Sequence, residues 1–292
     1  MPSAFKPVSL ADTIEIKPGV HMPRLGLGTY KAQQGADVEC EVRYGLSRGY
    51  RLIDTAAVYG NEESIGRVLR ESDIPRGEVF VTTKLWNSDQ AHKRGAIAFE
   101  RSLRKLGLDY VDLYLVHWPW PSHMEVTWAA MEEILASGRA RAIGVCNHLP
   151  HHLDALAEFA NVMPAVNQCE FHPRLQQPDL QDACTARGIT LQAWAPLMRG
   201  RVNLIPELVE IASRHEKTPA QVTLRWILQT GVVTIPKSVH ENRIAENCDL
   251  YDFELSADEM ALIATLDDGT RLGPEPNTYA ALGSVAGLIK PR

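Results

Sequence analysis

The sequence predicts an α/β protein built as a (β/α)8 barrel, and three observations carry that expectation. Eight short apolar runs alternate along the chain with amphipathic segments, the pattern of βα units feeding a parallel sheet. The chain has 292 residues, and eight such units fill about 250 residues, the usual extent of a closed barrel. No stretch has the composition of a linker, so residues 1–292 are expected to form a single barrel domain.

The elements follow in order. "TIEIKPGVHMP" reads as a hairpin, with Pro18 and Gly19 suited to the centre of a type II turn, placed to plug the N-terminal end of the barrel. The strands are "RLGLGT", "RLIDTA", "VFVTTKLW", "VDLYLVHW", "ARAIGVCN", "PAVNQCEF", "TLQAWAPL" and "GVVTIPKS". Of the helices, "DVECEVRYGLSRG" ends on Gly49, and "NEESIGRVLRES" starts on Asn61 as a cap with Glu62 and Glu63 in its first turn. "HKRGAIAFERSLRKLG" and "VTWAAMEEILASG" also stop at glycine. The later helices are "HHLDALAEFA", "PDLQDACTARG", the pair "IPELVEIASRHEK" and "TPAQVTLRWILQTG", and "ENRIAENCD". An extra C-terminal helix, "SADEMALIATLDDG", precedes a Gly/Pro-rich tail from Arg271 to Arg292 that is expected to close over the site.

Bulk properties narrow the function. A net charge of -6 argues against a nucleic-acid partner or an anionic membrane surface. No apolar run approaches the roughly 18 residues of a membrane span, and "MPSAFKPVSLADT" has no signal core. The 5 cysteines are odd in number and never spaced as CxxC, which fits reduced thiols in a cytoplasmic protein. The 10 histidines lack paired ligand spacing, so no metal is expected.

A barrel of this kind carries its active site at the C-terminal ends of the strands. Strand two ends on Asp54 with Tyr59 in the following loop, strand three ends near Lys84, and strand four near His117. Each residue has a bland explanation: a helix cap or ion pair for Asp54, a turn-packing ring for Tyr59, a snorkelling stem for Lys84, a satisfied core imidazole for His117. Four such groups at matching strand ends are hard to explain as structure alone.

With these residues in view, "DTAAVYGNE", "TTKLW", "LVHWP", "GVCNH", "AVNQCEFHP", "QAWAPL" and "IPKS", in that order, closely resemble the aldo-keto reductase family from about Leu25 to about Asp268. "WAPL" and "KLWN" lean toward its bacterial 2,5-diketo-D-gluconate reductase-like branch. The resemblance implies NADPH-dependent reduction of aldehydes and ketones, among them small carbonyls, sugar ketoacids or methylglyoxal-like dicarbonyls. It also implies a catalytic set of Asp54, Tyr59, Lys84 and His117. A protonated phenol suits Tyr59 to proton donation, and a lysine about 4 Å away is worth roughly 4 kcal/mol, or about 3 pKa units downward before burial subtracts its share. Asp54 would keep Lys84 charged, and His117 would hydrogen-bond the carbonyl oxygen.

By the same resemblance, Thr29 and Tyr30 lie at the nicotinamide end, Asn147 and Gln168 bind its carboxamide, and Trp194 stacks on its ring. Cys146 stands where the family usually has serine, a poorer donor at one carboxamide contact. Ala195, Pro196 and Leu197 lead into a segment, Pro196 to Arg201, that covers the pyrophosphate. Lys237, Ser238, Arg243, Glu246 and Asn247 take the adenosine phosphate and adenine, although Arg243 and Glu246 would also make an ordinary surface pair at i,i+3. "GLGTYK" lacks the third glycine of GxGxxG, which argues against a Rossmann dehydrogenase. Tyr30, Trp86 and Trp118, joined by His117, are the substrate-pocket candidates, with Trp120 a further aromatic and Arg271 the one candidate clamp for an anionic substrate. The expected partner is a small-molecule carbonyl, and the chain is expected to be monomeric. Two other readings are weaker: a barrel isomerase or hydrolase lacks its metal or second base, and a cofactor-binding regulatory subunit would not require all four catalytic residues.

Overall fold

The computed structural model describes residues 6–278, so part of the expected tail, residues 279–292, lies outside the described residues. The hairpin forms as expected: β1 (Thr13–Lys17) pairs antiparallel with β2 (Val20–Pro23). Gly19 takes φ 75, the left-handed value that the third position of a type II turn requires.

Eight parallel strands follow: β3 (Leu27–Gly28), β4 (Leu52–Asp54), β5 (Phe80–Leu85), β6 (Val111–Val116), β7 (Ala140–Cys146), β8 (Val166–Glu170), β9 (Thr190–Trp194) and β10 (Val233–Thr234). Each pairs with its neighbours in chain order. The two edges meet: Leu25 bridges Thr234, Gly26 N–H donates to Thr234 O at 2.9 Å, and Thr234 N–H donates to Arg24 O at 3.0 Å. Closure removes the edges that an open sheet would expose.

The helices are α1 (Ala36–Ser47), α2 (Glu62–Glu71), α3 (Asn87–Ala91), α4 (Gly95–Leu106), α5 (Met124–Ala136), α6 (Pro150–Ala157), α7 (Pro178–Ala186), α8 (Pro206–Arg214), α9 (Pro219–Gln229), α10 (Glu241–Cys248) and α11 (Ala257–Ala264). The helix expected from His92 to Gly107 is shorter than predicted. Lys93 takes φ 53 and breaks the run, so α4 begins at Gly95 and a separate short α3 precedes it. Asn61 does stand at the N-cap position of α2, but its side chain makes no cap bond. It is fully buried and used elsewhere, as described below. Among the described residues, no helix is long and apolar enough to cross a membrane.

Strand periodicity divides the apolar side chains into two layers. Ile53, Val81, Tyr114, Ile143 and Ala193 point outward into the layer between strands and helices. Leu52, Phe80, Leu113, Leu115, Ala142 and Val166 point into the barrel, where Ile16, Val20 and Met22 of the hairpin pack against them. The hairpin therefore plugs the barrel from its N-terminal end. That leaves the C-terminal rim as the place where inward side chains meet an opening.

The helices touch one another closely where α2 crosses α4. A Cβ built on Gly66 would lie 1.9 Å from the Leu106 carbonyl oxygen, a backbone atom with nowhere to go. Gly66→Ala should therefore cost about 1–3 kcal/mol and lower the melting temperature by several degrees. Gly77→Ala, where nothing lies within 4 Å, should stay within about 0.5 kcal/mol of wild type. Equal melting temperatures for the two variants would show that the α2–α4 contact is looser than this.

Candidate active site

Counting in twos along each strand from the inward-facing residues brings the polar candidates to one rim. From Leu52 the count reaches Asp54, from Phe80 it reaches Lys84, and from Leu115 it reaches His117. The same parity turns Cys146, Gln168 and Trp194 inward. The register steps upward around the barrel: Asp54 pairs with Thr82, and Lys84 with Leu115.

Lys84 and Asp54 form the centre. The Lys84 Nζ donates to Asp54 Oδ1 at 2.6 Å and to the Thr55 carbonyl at 2.9 Å, with the two side chains 0% and 3% exposed. The second carboxylate oxygen, Oδ2, accepts from Gln168 Nε2 at 2.7 Å. Gln168 Nε2 also donates to Gln192 Oε1 at 2.7 Å, which extends the network across the barrel floor. Burial pushes the Asp54 carboxyl up, opposed by the Lys84 ammonium and the Gln168 amide. For Lys84, burial acts downward, but the charge and hydrogen bond of Asp54, together with Tyr59 and Cys146, raise the ammonium above its ordinary range. Lys84 therefore carries its charge at neutral pH.

Tyr59 ends a 3-10 turn, Ala57–Tyr59, and Gly60 behind it takes φ 70 to turn the chain into α2. Asn61 fixes this loop: its Nδ2 donates to the Thr29 and Ala32 carbonyls at 3.0 and 3.1 Å, and its Oδ1 accepts from Thr55 Oγ1 at 2.7 Å. The Tyr59 hydroxyl then lies 3.4 Å from Lys84 Nζ. Its proton affinity departs from expectation. Burial pushes the phenol up, and the Asp54 carboxylate adds to it, so the lowering by Lys84 is outweighed and Tyr59 stays protonated.

His117 meets Tyr59 edge to face, with centroids 5.7 Å apart, and Trp86 likewise at 5.1 Å. Tyr30 packs on Tyr59 at 5.1 Å. Burial and then Lys84 drive the His117 pKa well below its ordinary value, so the ring is neutral. Its Nδ1 is buried without a hydrogen-bond partner among the described residues. A rigid phenol, a neutral imidazole and a buried ammonium converge here. That set can hydrogen-bond a carbonyl oxygen and protonate it as negative charge develops.

The other expected positions fall around this centre with specific partners. Thr29 is buried, its hydroxyl donating to the Asp54 carbonyl at 2.9 Å. Asn147, at φ 60, donates to the His117 carbonyl at 3.0 Å and accepts from the Trp194 indole at 2.8 Å. The amide groups therefore answer partly to protein. What remains still fits a carboxamide: Asn147 keeps a second N–H, and Gln168 Oε1 has no hydrogen-bond partner among the described residues. Cys146 is buried, and burial pushes its thiol up, so it is a neutral, weak donor.

Pro196 is buried, Ala195 and Leu197 are half-buried, and Arg199 and Gly200 take positive φ in the loop that follows. Ser238 and Asn247 are buried, Lys237 is half-buried and Arg243 exposed. No Arg243–Glu246 ion pair forms among the described residues; Glu246 instead accepts from Thr218 Oγ1 at 2.6 Å.

Two secondary candidates move away. Trp118 is buried, but Trp120 meets His123 edge to face and lines a small gap beside Met124 and Trp128, behind β6 rather than on the rim. Arg271 donates to Gln177 Oε1 at 3.0 Å and is not a free clamp. Sequence reasoning missed Glu170, whose carboxylate accepts from the Leu272 and Gly273 backbone N–H groups at 2.6 and 3.1 Å and holds the tail against Trp194. Its signal was an acidic residue at the inward parity of β8. Among the described residues, no group of three or more His, Cys, Asp or Glu side chains is placed to hold a metal ion.

Removal of Lys84 isolates a buried carboxylate. Lys84→Met should cost about 3–5 kcal/mol at pH near 8. With no ammonium beside it, Asp54 has a folded-state pKa further above its unfolded value. A group of that sign is tolerated when protonated and destabilises as pH rises, so the penalty should shrink near pH 5. Thermal melts at both pH values test this, and Asp54→Asn in the same background should recover part of the loss. A penalty independent of pH would refute it.

Comparison with known proteins agrees with this geometry. A family model described as "Aldo/keto reductase family" matches residues 24–268. The chain is 49% identical over 271 residues to a glyoxal reductase of Bacillus subtilis, covering 93% of this chain and 98% of that one. It is 45% identical over 270 residues to a methylglyoxal reductase of Escherichia coli, covering 91% and 97%. Among solved structures, a Bombyx mori aldo-keto reductase in complex with NADP superposes with a TM-score of 0.85 at 33% identity, covering 93% and 98%.

Proposed function

The chain belongs to the aldo/keto reductase family, NADP-dependent oxidoreductases that reduce carbonyl groups, and from that premise we propose that Tyr59, Lys84, Asp54 and His117 carry the reaction on small dicarbonyls of the glyoxal and methylglyoxal type. The observation that carries this reading is Lys84 Nζ bridging Asp54 at 2.6 Å and Tyr59 at 3.4 Å inside the rim. When bound, the reduced nicotinamide supplies the hydride. Tyr59 gives its proton to the carbonyl oxygen as that oxygen turns into an alkoxide. Lys84 stabilises the tyrosinate left behind, and Asp54 keeps Lys84 charged and aimed. His117, as a neutral ring, donates a hydrogen bond to the same oxygen and orients it. Asn147 and Gln168 would hold the carboxamide, and Trp194, fixed through its bond to Asn147, would lie against the ring.

The raised affinity of Tyr59 for its proton sets the balance of this step. A phenol that resists ionisation is fully charged with its proton when substrate arrives, and Lys84 matters most once the proton leaves. Small neutral substrates are favoured over sugar acids because Arg271 is already bonded to Gln177. The relatives named glyoxal and methylglyoxal reductase support the same class. Lys237, Ser238 and Arg243 would take the 2′-phosphate: an ammonium, a hydroxyl and a guanidinium beside the start of α10 suit a dianion.

The test is the loss of reduced-nicotinamide absorbance with NADPH and methylglyoxal, set against a sugar ketoacid and an aromatic aldehyde. A sugar ketoacid reduced far more efficiently than methylglyoxal would overturn the substrate reading. Tyr59→Phe should lose turnover by about 10²–10⁴-fold with little change in NADPH affinity; a variant retaining a tenth of the activity would remove Tyr59 as the proton donor. Arg243→Ala should raise the Michaelis constant for NADPH and leave that for NADH nearly unchanged. Equal losses with both cofactors would refute the phosphate site.

A further inference from the structure

One buried acid is unused by this chemistry. Glu41 lies in the middle of α1 at 1% exposure, and among the described residues neither carboxyl oxygen has a partner in hydrogen-bonding geometry. An unpaired buried carboxylate is costly and rarely kept without a use. Its surroundings indicate one. The groups acting on it are the Lys237 ammonium and the Ser238 backbone N–H, both of which favour its ionised form. These belong to the segment assigned above to the 2′-phosphate.

The other charged groups nearby are engaged or face away. On α1, Glu39 pairs with Arg67 and Arg43 with Glu71, both partners lying on α2. Elsewhere on α2, Glu62 accepts from Thr83, Glu63 from Gln34, and Arg70 donates to the Leu106 carbonyl. On α10, which packs on α1, Glu241 and Arg243 are exposed, and Glu246 accepts from Thr218. Lys237 is the charged side chain that acts on Glu41.

We propose that Glu41 is a specificity residue of the adenosine-ribose pocket: as a carboxylic acid it admits a 2′-phosphate, and as a carboxylate it favours the unphosphorylated ribose. The inference rests on the phosphate-site reading of Lys237, Ser238 and Arg243. An ionised Glu41 would neutralise Lys237 and repel the incoming dianion. A protonated Glu41 leaves Lys237 free for it. Without the phosphate the ranking inverts, because a carboxylate is the usual acceptor for a ribose 2′-hydroxyl. Burial pushes the Glu41 carboxyl up to about 8, with Lys237 and the Ser238 N–H opposing, so it is mostly protonated at neutral pH. A bound phosphate favours the protonated form further. NADPH binding therefore takes up a proton above about pH 8, and affinity falls as pH rises.

The experiment measures dissociation constants for NADPH and NADH by quenching of tryptophan fluorescence, without any carbonyl, from about pH 6.5 to about pH 9.5. For wild type, the NADPH constant should climb toward tenfold per pH unit above about pH 8, while the NADH constant stays flat or falls. Glu41→Gln, which cannot ionise, should lose that climb; Glu41→Ala serves if the glutamine variant does not fold. Parallel pH curves for the two cofactors in wild type, or a full climb retained in Glu41→Gln, would overturn the proposal. Lys237→Met separates it from its premise. If that variant loses the preference for NADPH while Glu41→Gln keeps the wild-type climb, the role of Glu41 fails alone. If Lys237→Met leaves the preference intact, both readings fail.

Discussion

A lysine and an aspartate are shut inside a barrel whose other inward side chains are largely hydrocarbon, and most of the site's geometry follows from keeping that pair together. Each ion gives up its water, a loss of several kcal/mol that only close contact and full hydrogen bonding can offset. Lys84 meets Asp54 at 2.6 Å and spends another proton on the Thr55 carbonyl, while Gln168 occupies the remaining carboxylate oxygen. Such a network tolerates little displacement. It fixes the ends of β4, β5 and β8 relative to one another, and it leaves one direction, toward Tyr59, in which the ammonium still acts.

The loop carrying Tyr59 is held by a different set of bonds, and the division is useful. Asn61 satisfies two carbonyls and a hydroxyl around the turn, so the phenol is positioned by the loop and only tuned by Lys84. Positioning and electrostatics thus sit on separate groups. His117 adds a third constraint: burial keeps the imidazole neutral, and the Lys84 charge that would stabilise a tyrosinate acts in the same direction. Burial thus keeps both neighbours neutral, with the ammonium adding to it at His117 and opposing it at Tyr59.

Around this fixed floor the rim is assembled from segments that close it. Trp194 is tied to Asn147, and Asn147 to the His117 carbonyl, so the aromatic face is coupled to the catalytic strand by two hydrogen bonds. Glu170 draws the backbone at Leu272 and Gly273 down beside that ring. On the far side, the buried acid Glu41 of α1 lies within the field of the Lys237 ammonium, just ahead of α10.

The strands, the plug hairpin and the inward row of Asp54, Lys84 and His117 were all legible in the chain, because each depends on local alternation or on a turn formed by adjacent residues such as Pro18 and Gly19. The family motifs carried the same residues. The sequence by itself did not determine what those groups experience. Lys84 was expected to lower the Tyr59 pKa, and burial outweighs that lowering; Asn61 was expected to cap α2 and instead ties its own loop to the one after β3; Trp120 and Arg271 were further candidates at the pocket and are engaged elsewhere. Those outcomes depend on partners far away in the chain. Gln168 reaches Asp54 across 114 residues, and Tyr50 reaches Ile244 across 194. Burial and partner choice are properties of the closed barrel, and desolvation acts only after closure has excluded the water, so only the tertiary structure could decide them.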